Sequence, residues 1–254
     1  MELGSTVGAV RSQRVLMGHR LCPAVVRIKD GRIHRILSGS LFPAGDDDED
    51  DEDEVLDVGD SVVMPGLVDS HVHVNEPGRV SWEGFWTATR AAAAGGVTTV
   101  VDMPLNSIPP TTTLNHFHEK LREATGKCFV DTAFWGGVIP GNQFHAELDV
   151  QQPSEETAGL PLFWSSASKR GFELSDVVRL LSQKTAQLCG LDKQKGSLSP
   201  GHDADLVIWD PEREFEAFPN VPTMFGFHTI SKYPGEIYCL DIVNSNFKGY
   251  NEWI

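Results

Sequence analysis

Two histidines, His71 and His73, stand one residue apart inside GLVDSHVHVNEPGR (66–79). In extended chain, side chains i and i+2 leave the same face. Both imidazoles then point to one side and can grip one metal ion, while Val72 points the other way into packing. Imidazole suits zinc and its borderline neighbours. A bare His-x-His fits two incidental histidines equally well, so the flanks matter. The apolar run Val62–Val68 reads as one buried strand leading into the pair, and Pro77-Gly78 breaks the chain after it. The pair is therefore expected at the C-terminal end of a strand, where α/β barrels keep their chemistry.

Other side chains have two readings each. Asp69 either orients an imidazole from behind or bonds nearby backbone at the strand end. Asn106 and Ser107 either hydrogen-bond a substrate or serve the turn chemistry of an Asn-Ser-x-Pro-Pro loop. Arg79 faces the site or pairs with Glu76 or Glu83 on the surface. His202 reads as part of a turn, Trp135 as packing at a strand end, and His34, His116 and His118 have no assigned role.

The elements that must position these residues change style along the chain. Residues 13–60 carry short Val/Ile-rich stretches, with Lys29-Asp30-Gly31 as a hairpin signal. From 61 onward, strand and helix alternate. A helix is expected over Trp82–Gly95, with Trp86, Thr89, Arg90 and Ala93 at helical spacing. A β-branched strand follows at Val97–Met103, then a helix over Leu114–Ala124 and a strand within Lys127–Ile139. This is a βα series with right-handed crossovers. Residues 173–190 read as a helix with Leu174, Val177, Val178, Leu181 and Leu188 on its apolar face. Ala204–Trp209 reads as a strand, and residues 220–254 show no period.

Composition narrows the function classes. The chain has 254 residues, 40% of them hydrophobic, and a net charge of −15. Residues 46–54 carry −9 of that in an unbroken acidic run, expected as a disordered, solvated loop. The acidic balance argues against nucleic acid and anionic membranes as partners. No apolar stretch reaches the ~18 residues of a membrane span, and the start of the chain lacks the apolar core of a signal peptide. Cys22, Cys128, Cys189 and Cys239 form no C-x-x-C pair. Free thiols in a reducing cytoplasmic compartment are the expectation, with peroxisome and mitochondrion as alternatives.

Four stretches together resemble the cyclic amidohydrolases, the group of dihydropyrimidinases, dihydroorotases and allantoinases: VMPGLVDSHVHVNEPGR (63–79), DMPLNSIPPT (102–111), FWGGVI (134–139) and KGSLSPGHDADLVIWD (195–210). Asn75, where dihydroorotases carry Arg, and the 102–111 stretch put the resemblance on the allantoinase side. It implies an α/β fold, a partial (β/α)8 TIM barrel over 61–190. A small β-sandwich would come from both chain ends (13–60 and 191–216), with 217–254 a divergent tail. It also implies two divalent metals, usually zinc, with His71 and His73 as the first ligands. FHAEL (144–148) resembles the fifth-strand segment, which makes His145 a third. The bridging lysine carbamate and the acid/base Asp of the family have no match, so no catalytic residue is assigned.

The same resemblance shows the chain skipping twice, between Gln143 and Phe144 and between Gly159 and Leu160. LFWSSASKRGFEL (162–174) resembles the family segment that comes after the eighth barrel strand. Size agrees: a full barrel takes ~250 residues, whereas 61–190 has room for about four βα units at ~30 residues each. The implied activity is metal-dependent hydrolysis of the hydantoin ring of allantoin to allantoate, in purine catabolism. Dihydropyrimidines or hydantoins are the alternative substrates, and homotetramers are common in the group. With half the metal set unmatched, weak or no activity is expected. A non-catalytic shortened form or a scaffolding relative is the competing reading.

Overall fold

A computed structural model describes residues 7–39, 54–139, 160–212, 214–216, 232–234 and 237–241. The first strands are β1 (Val7–Met17), β2 (Arg20–Lys29), β3 (Arg32–Ser38), β4 (Glu54–Asp57) and β5 (Val62–Pro65). The β2–β3 turn is the expected one: Asp30 and Gly31 both have left-handed φ (52° and 74°), and Lys29 pairs with Arg32. Such a turn matches the twist of the strands it joins. β1 begins at Val7, upstream of the expected boundary at 13. It is shared, its first half running parallel to β4 and its second half to β5, across a break in register between Ser12 and Val15. The Ser12 hydroxyl fills that break, donating to Ser61 O at 2.6 Å. Glu54, expected within the acidic loop, opens β4; the rest of that run lies outside the described residues.

The run Val62–Val68 is two strands rather than one. β5 stops at Pro65, and β6 (Leu67–Val72) belongs to a different sheet. Gly66 is the point of exchange. Its N–H donates to Asp205 O (2.9 Å) in the first sheet, and the next N–H, of Leu67, donates to Gly96 O (3.2 Å) in the second. The chain crosses Thr98 so closely that a Cβ on Gly66 would lie 2.0 Å from Thr98 Oγ1 and 2.7 Å from Thr98 Cβ.

The second sheet is parallel, in the order β6, β7 (Val97–Asp102), β8 (Asp131–Phe134). Two helices connect its strands, α1 (Phe85–Ala94) and α2 (Leu114–Ala124). α1 starts three residues later than the pattern suggests. The Glu76 carboxylate takes the Phe85 N–H at 2.9 Å, satisfying the helix N-terminus from outside. Its inner face is Phe85, Thr89 and Ala93. Trp86, expected among the helical contacts, is half exposed and packs edge-on against Phe129. α2 is capped by Thr113, whose hydroxyl accepts from His116 N.

After residue 160 come α3 (Leu160–Ala167), a 3-10 turn at Ser168–Arg170, α4 (Leu174–Val178), a π turn at Arg179–Gln183 and α5 (Lys184–Leu188). Leu174, Val177, Val178 and Ala186 are buried; Leu188, expected on the apolar face, is largely exposed. β9 (Asp205–Trp209) returns to the first sheet between β5 and a later strand. β10 (Glu214–Glu216) pairs with β11 (Lys232–Pro234), and β12 (Ile237–Asp241) pairs antiparallel with β9. The tail without a readable period thus adds an edge to the sheet. The sandwich expected from both chain ends is one hydrogen-bonded sheet of seven strands, in the order β12-β9-β5-β1-β2-β3, with β4 on β1. Among the described residues no helix is long and apolar enough to cross a membrane.

The two cores are sorted by strand alternation. Every residue of β5 and β9 is buried. Val62, Met64, Val207 and Trp209 pack with Leu67, Val97, Val100, Leu160 and Val177. Val63, Leu206 and Ile208 pack with Val10, Val26 and Ile33 inside the curled first sheet. One charge cluster spans the junction. Lys195, 7% exposed, places its ammonium against Asp131 of β8, Asp203 (2.9 Å) and Asp205 of β9 (2.8 Å). Burial by itself would lower its pKa; Asp205 and Asp131 outweigh that and raise it. A raised folded-state value means the cluster contributes fully below the ordinary lysine range and is lost only as pH climbs through the higher value.

Two stability outcomes are expected. Gly66→Ala should lower unfolding free energy by about 1–3 kcal/mol by overpacking in chemical denaturation, and Thr98→Ala should rescue it incompletely because Thr98 Cβ itself is in the way. Lys195→Met should cost about 3 kcal/mol by leaving the buried Asp205 carboxylate without its cation; an unchanged denaturation midpoint would refute the tether.

Candidate metal centre

His71 is the penultimate residue of β6 and His73 follows its end. Their alternation puts both rings on one side, with Nε2 of His71 and Nε2 of His73 3.2 Å apart and the ring planes at 67°. Two ligands of a tetrahedral ion at ~2.0–2.1 Å stand about 3.3 Å from each other. The pair therefore fits two positions on one metal ion. Among the described residues no group of three or more His, Cys, Asp or Glu gathers for a metal; the spacing of these two imidazoles is what suits one. His145, expected as a third ligand, lies outside the described residues.

The strand end is held by hydrogen bonds from both neighbours. Met103 N donates to Val72 O (2.8 Å), and Val74 N donates to Asp102 Oδ1 (2.8 Å) at the end of β7. Trp135, after β8, donates its indole N–H to Ser70 O (2.9 Å) and its backbone N–H to Asp102 O (2.9 Å). Trp135 thus ties the third strand's end to the first, beyond simple packing. Asp69 Oδ1 accepts the His71 backbone N–H at 3.1 Å, the strand-end role of its two readings. His71 Nδ1 is buried and has no hydrogen-bond partner among the described residues.

Two ion pairs brace the loops around the pair, and the lysine of each, Lys120 and Lys127, lies outside the quoted motifs. Lys120, on the buried face of α2, reaches Asp102 Oδ2 (2.5 Å) and Met103 O (3.1 Å), with both charged side chains 1% exposed. Burial pushes the Asp102 carboxyl up in pKa, while Lys120 and the Val74 N–H pull against it. Glu76 joins the Phe85 N–H to the Lys127 ammonium (2.5 Å). The available signal was Lys120 itself, an ionic residue on the stripe Phe117, Lys120, Ala124, where an apolar one fits. Arg79, one of whose readings was a pair with Glu76 or Glu83, stacks instead on Trp82, 4.6 Å from the ring centre.

The loop after β7 folds over the pair's side of the sheet. Asn106 has a left-handed φ of 69°, and its amide lies 3.2 Å from His73 Nδ1. Ser107 is buried, and its hydroxyl has no hydrogen-bond partner among the described residues. Ile108 N donates to Pro77 O (2.8 Å), locking this loop to the one after the histidines. Gly78, with φ 87°, leaves no room there for a side chain: a Cβ would lie 2.6 Å from Ile108 O. Elsewhere, His202 Nε2 lies 3.2 Å from Asp192 O and His116 Nδ1 lies 2.9 Å from Pro110 O, both serving turns. His34 and His118 are exposed.

Comparisons with known proteins agree on one family. The profile of the Amidohydrolase family matches residues 62–161 and 160–233, two stretches that meet at residue 160. An allantoinase named as mitochondrial, from Aquarana catesbeiana, is 52% identical over 141 residues, which are 55% of this chain and 28% of that protein. An allantoinase of Streptomyces avermitilis is 52% identical over 134 residues, 52% of this chain and 28% of the relative. The chain thus spans less than a third of the length of these curated relatives. Among solved structures, a D-hydantoinase (dihydropyrimidinase) from Thermus sp. superposes with a TM-score of 0.72 at 14% identity, over 96% of this chain and 97% of that one. At that identity the likeness concerns the fold. The fold is of the TIM-barrel type, present in part: β6, β7 and β8 are consecutive parallel strands with their connecting helices. The family is generally metal-dependent, in keeping with the paired imidazoles at the strand end, and the chain belongs to the amidohydrolase family.

Proposed function

We propose that this chain carries the opening metal-binding strand of a cyclic amidohydrolase that takes hydantoin-type rings, with allantoin the first substrate to test and zinc the metal. The observation that carries this is the 3.2 Å approach of the His71 and His73 Nε2 atoms at the C-terminal end of β6. The 52% identity to proteins named as allantoinases supports the substrate. Hydantoins and dihydropyrimidines are the runners-up. A divalent ion held there would polarise a ring carbonyl and acidify a water. His71 and His73 would hold it, and His145 is the further ligand the family pattern offers. Asn106 and Ser107, on the loop over the pair, would hydrogen-bond the ring; the buried Ser107 hydroxyl has no partner within the described chain.

Ring opening also needs a proton delivered to the leaving nitrogen. The described carboxylates nearest the pair are committed elsewhere. Asp69 accepts the His71 N–H, Asp102 is bound to Lys120 and Val74 N, and Glu76 to Lys127 and Phe85 N. Binding without efficient turnover is the consequence. A second reading, a non-catalytic form that depends on a partner or acts as a scaffold, is favoured by the barrel sheet, which among the described residues has three strands and ends on β6 and β8, where a closed barrel has no edges. Half-buried free thiols at Cys22, Cys128 and Cys189 support a reducing compartment. Cytosol is the default there, and the frog relative's name makes the mitochondrion the alternative.

Purified chain should bind about one zinc, and His71→Ala with His73→Ala should abolish this. Zinc-loaded chain should convert allantoin to allantoate at least ~10³-fold more slowly than a full-length relative, the order of loss when acid–base help is missing. Turnover matching that relative would overturn the assignment of the carboxylates, and zinc binding that survives the double substitution would overturn the metal centre.

A further inference from the structure

We propose that Asn106 is a positioning residue for His73: its side-chain oxygen accepts the Nδ1–H of that ring and so leaves Nε2 bare for the metal. The inference rests on the metal-centre reading and adds to it which ring is prepared, and by what. A neutral imidazole carries one proton on one of two nitrogens. Nε2 of His73 faces His71, and it binds a cation only if the proton sits on Nδ1. That Nδ1–H needs an acceptor, and a group against Nδ1 is the Asn106 amide, whose nitrogen stands 3.2 Å from it; an amide nitrogen only donates, so the oxygen has to take its place. Its nitrogen and oxygen exchange places by a half-turn of the amide plane, without moving the side chain. Only the oxygen-inward orientation is compatible with a bare Nε2. The outward NH2 then remains available to a ring carbonyl of the substrate.

Two observations set Asn106 apart from a passing surface contact. Its φ of 69° lies in the region that Asn tolerates better than most residues, and the loop around it is fixed by Ile108 N to Pro77 O and Thr111 N to Pro104 O. The amide is therefore aimed by backbone, not by chance rotation. His71 offers the contrast, since among the described residues no group hydrogen-bonds its buried Nδ1. With His73 bare at Nε2, the 3.2 Å contact between the rings places the shared proton on His71 Nε2 in the metal-free protein. Binding of a cation at His71 Nε2 then requires that proton to pass, through solvent, to Nδ1 of the same ring, which stays neutral, whereas His73 is the ligand prepared in advance.

The test uses the full chain at a pH where both rings are neutral. Zinc affinity is read by competition with a chromophoric chelator, and the His73 tautomer by ring-nitrogen NMR of the metal-free protein. Asn106→Ala should weaken zinc about 10–100-fold and move the His73 proton from Nδ1 towards Nε2. Asn106→Gly, which suits the left-handed backbone, should do the same, separating the lost oxygen from a strained loop. Asn106→Asp, which can only accept, should bind zinc at least as tightly as the parent chain. Unchanged affinity and tautomer in the Ala and Gly variants, or tighter binding on losing the side chain, would overturn the proposal. If the parent chain binds no zinc, the metal reading fails, and the metal-free tautomer still decides the role of Asn106.

Discussion

One glycine joins two sheets. At Gly66 the chain leaves an antiparallel partner, Asp205 O, and within one residue takes up a parallel sheet through Gly96 O. The switch requires backbone to pass Thr98 at a distance no side chain permits. Everything downstream inherits its register from that crossing. β6 has six residues, so a slip of one would turn both imidazoles to the opposite face. The buried apolar alternation of β5 and β9 fixes the crossing from behind, because one face of each strand fills the barrel-side core and the other fills the curled sheet.

Around that frame, ion pairs with at least one buried partner stand where loops must be immobile. Lys120 with Asp102 fixes the end of β7, Glu76 with Lys127 fixes the start of α1, and Lys195 joins β8 to β9. Such pairs add little stability compared with apolar packing, because desolvating two charges offsets most of their attraction. They do impose geometry. Asp102 spends one oxygen on Lys120 and the other on the Val74 N–H, so the peptide that follows His73 cannot rotate away. The geometry of the pair depends on charges set back from it.

The family's barrel is present in part. Three parallel strands place two ligands, and the loop after the second strand brings Asn106 to one of them. The family profile matches in two stretches that meet at residue 160. At that point Leu160 N donates to Gly95 O, so the second stretch docks directly on the end of α1. Helices that read as following the last barrel strand here cover the first. Among the described residues, the parallel strands that carry the paired imidazoles make up one side of such a barrel.

Much of the site was legible in the sequence because its signals are local. The i, i+2 spacing of His71 and His73, the apolar strands that frame them, the Asp30-Gly31 turn and the boundaries of α2 each depend on a few adjacent residues. The resemblance carried the family from short motifs for the same reason. The hidden features depend on partners distant along the chain. Val62–Val68 reads as one apolar strand, and only Asp205 and Gly96, both far along the chain, divide it at Gly66. Lys120 looks like a solvated helix lysine until Asp102 lies beneath it. Asn106 reads as a substrate or a turn residue, and its approach to His73 appears only once the loop after β7 has folded. Periodicity reports which face of an element is apolar, whereas the identity of the group that covers that face is a property of tertiary packing alone.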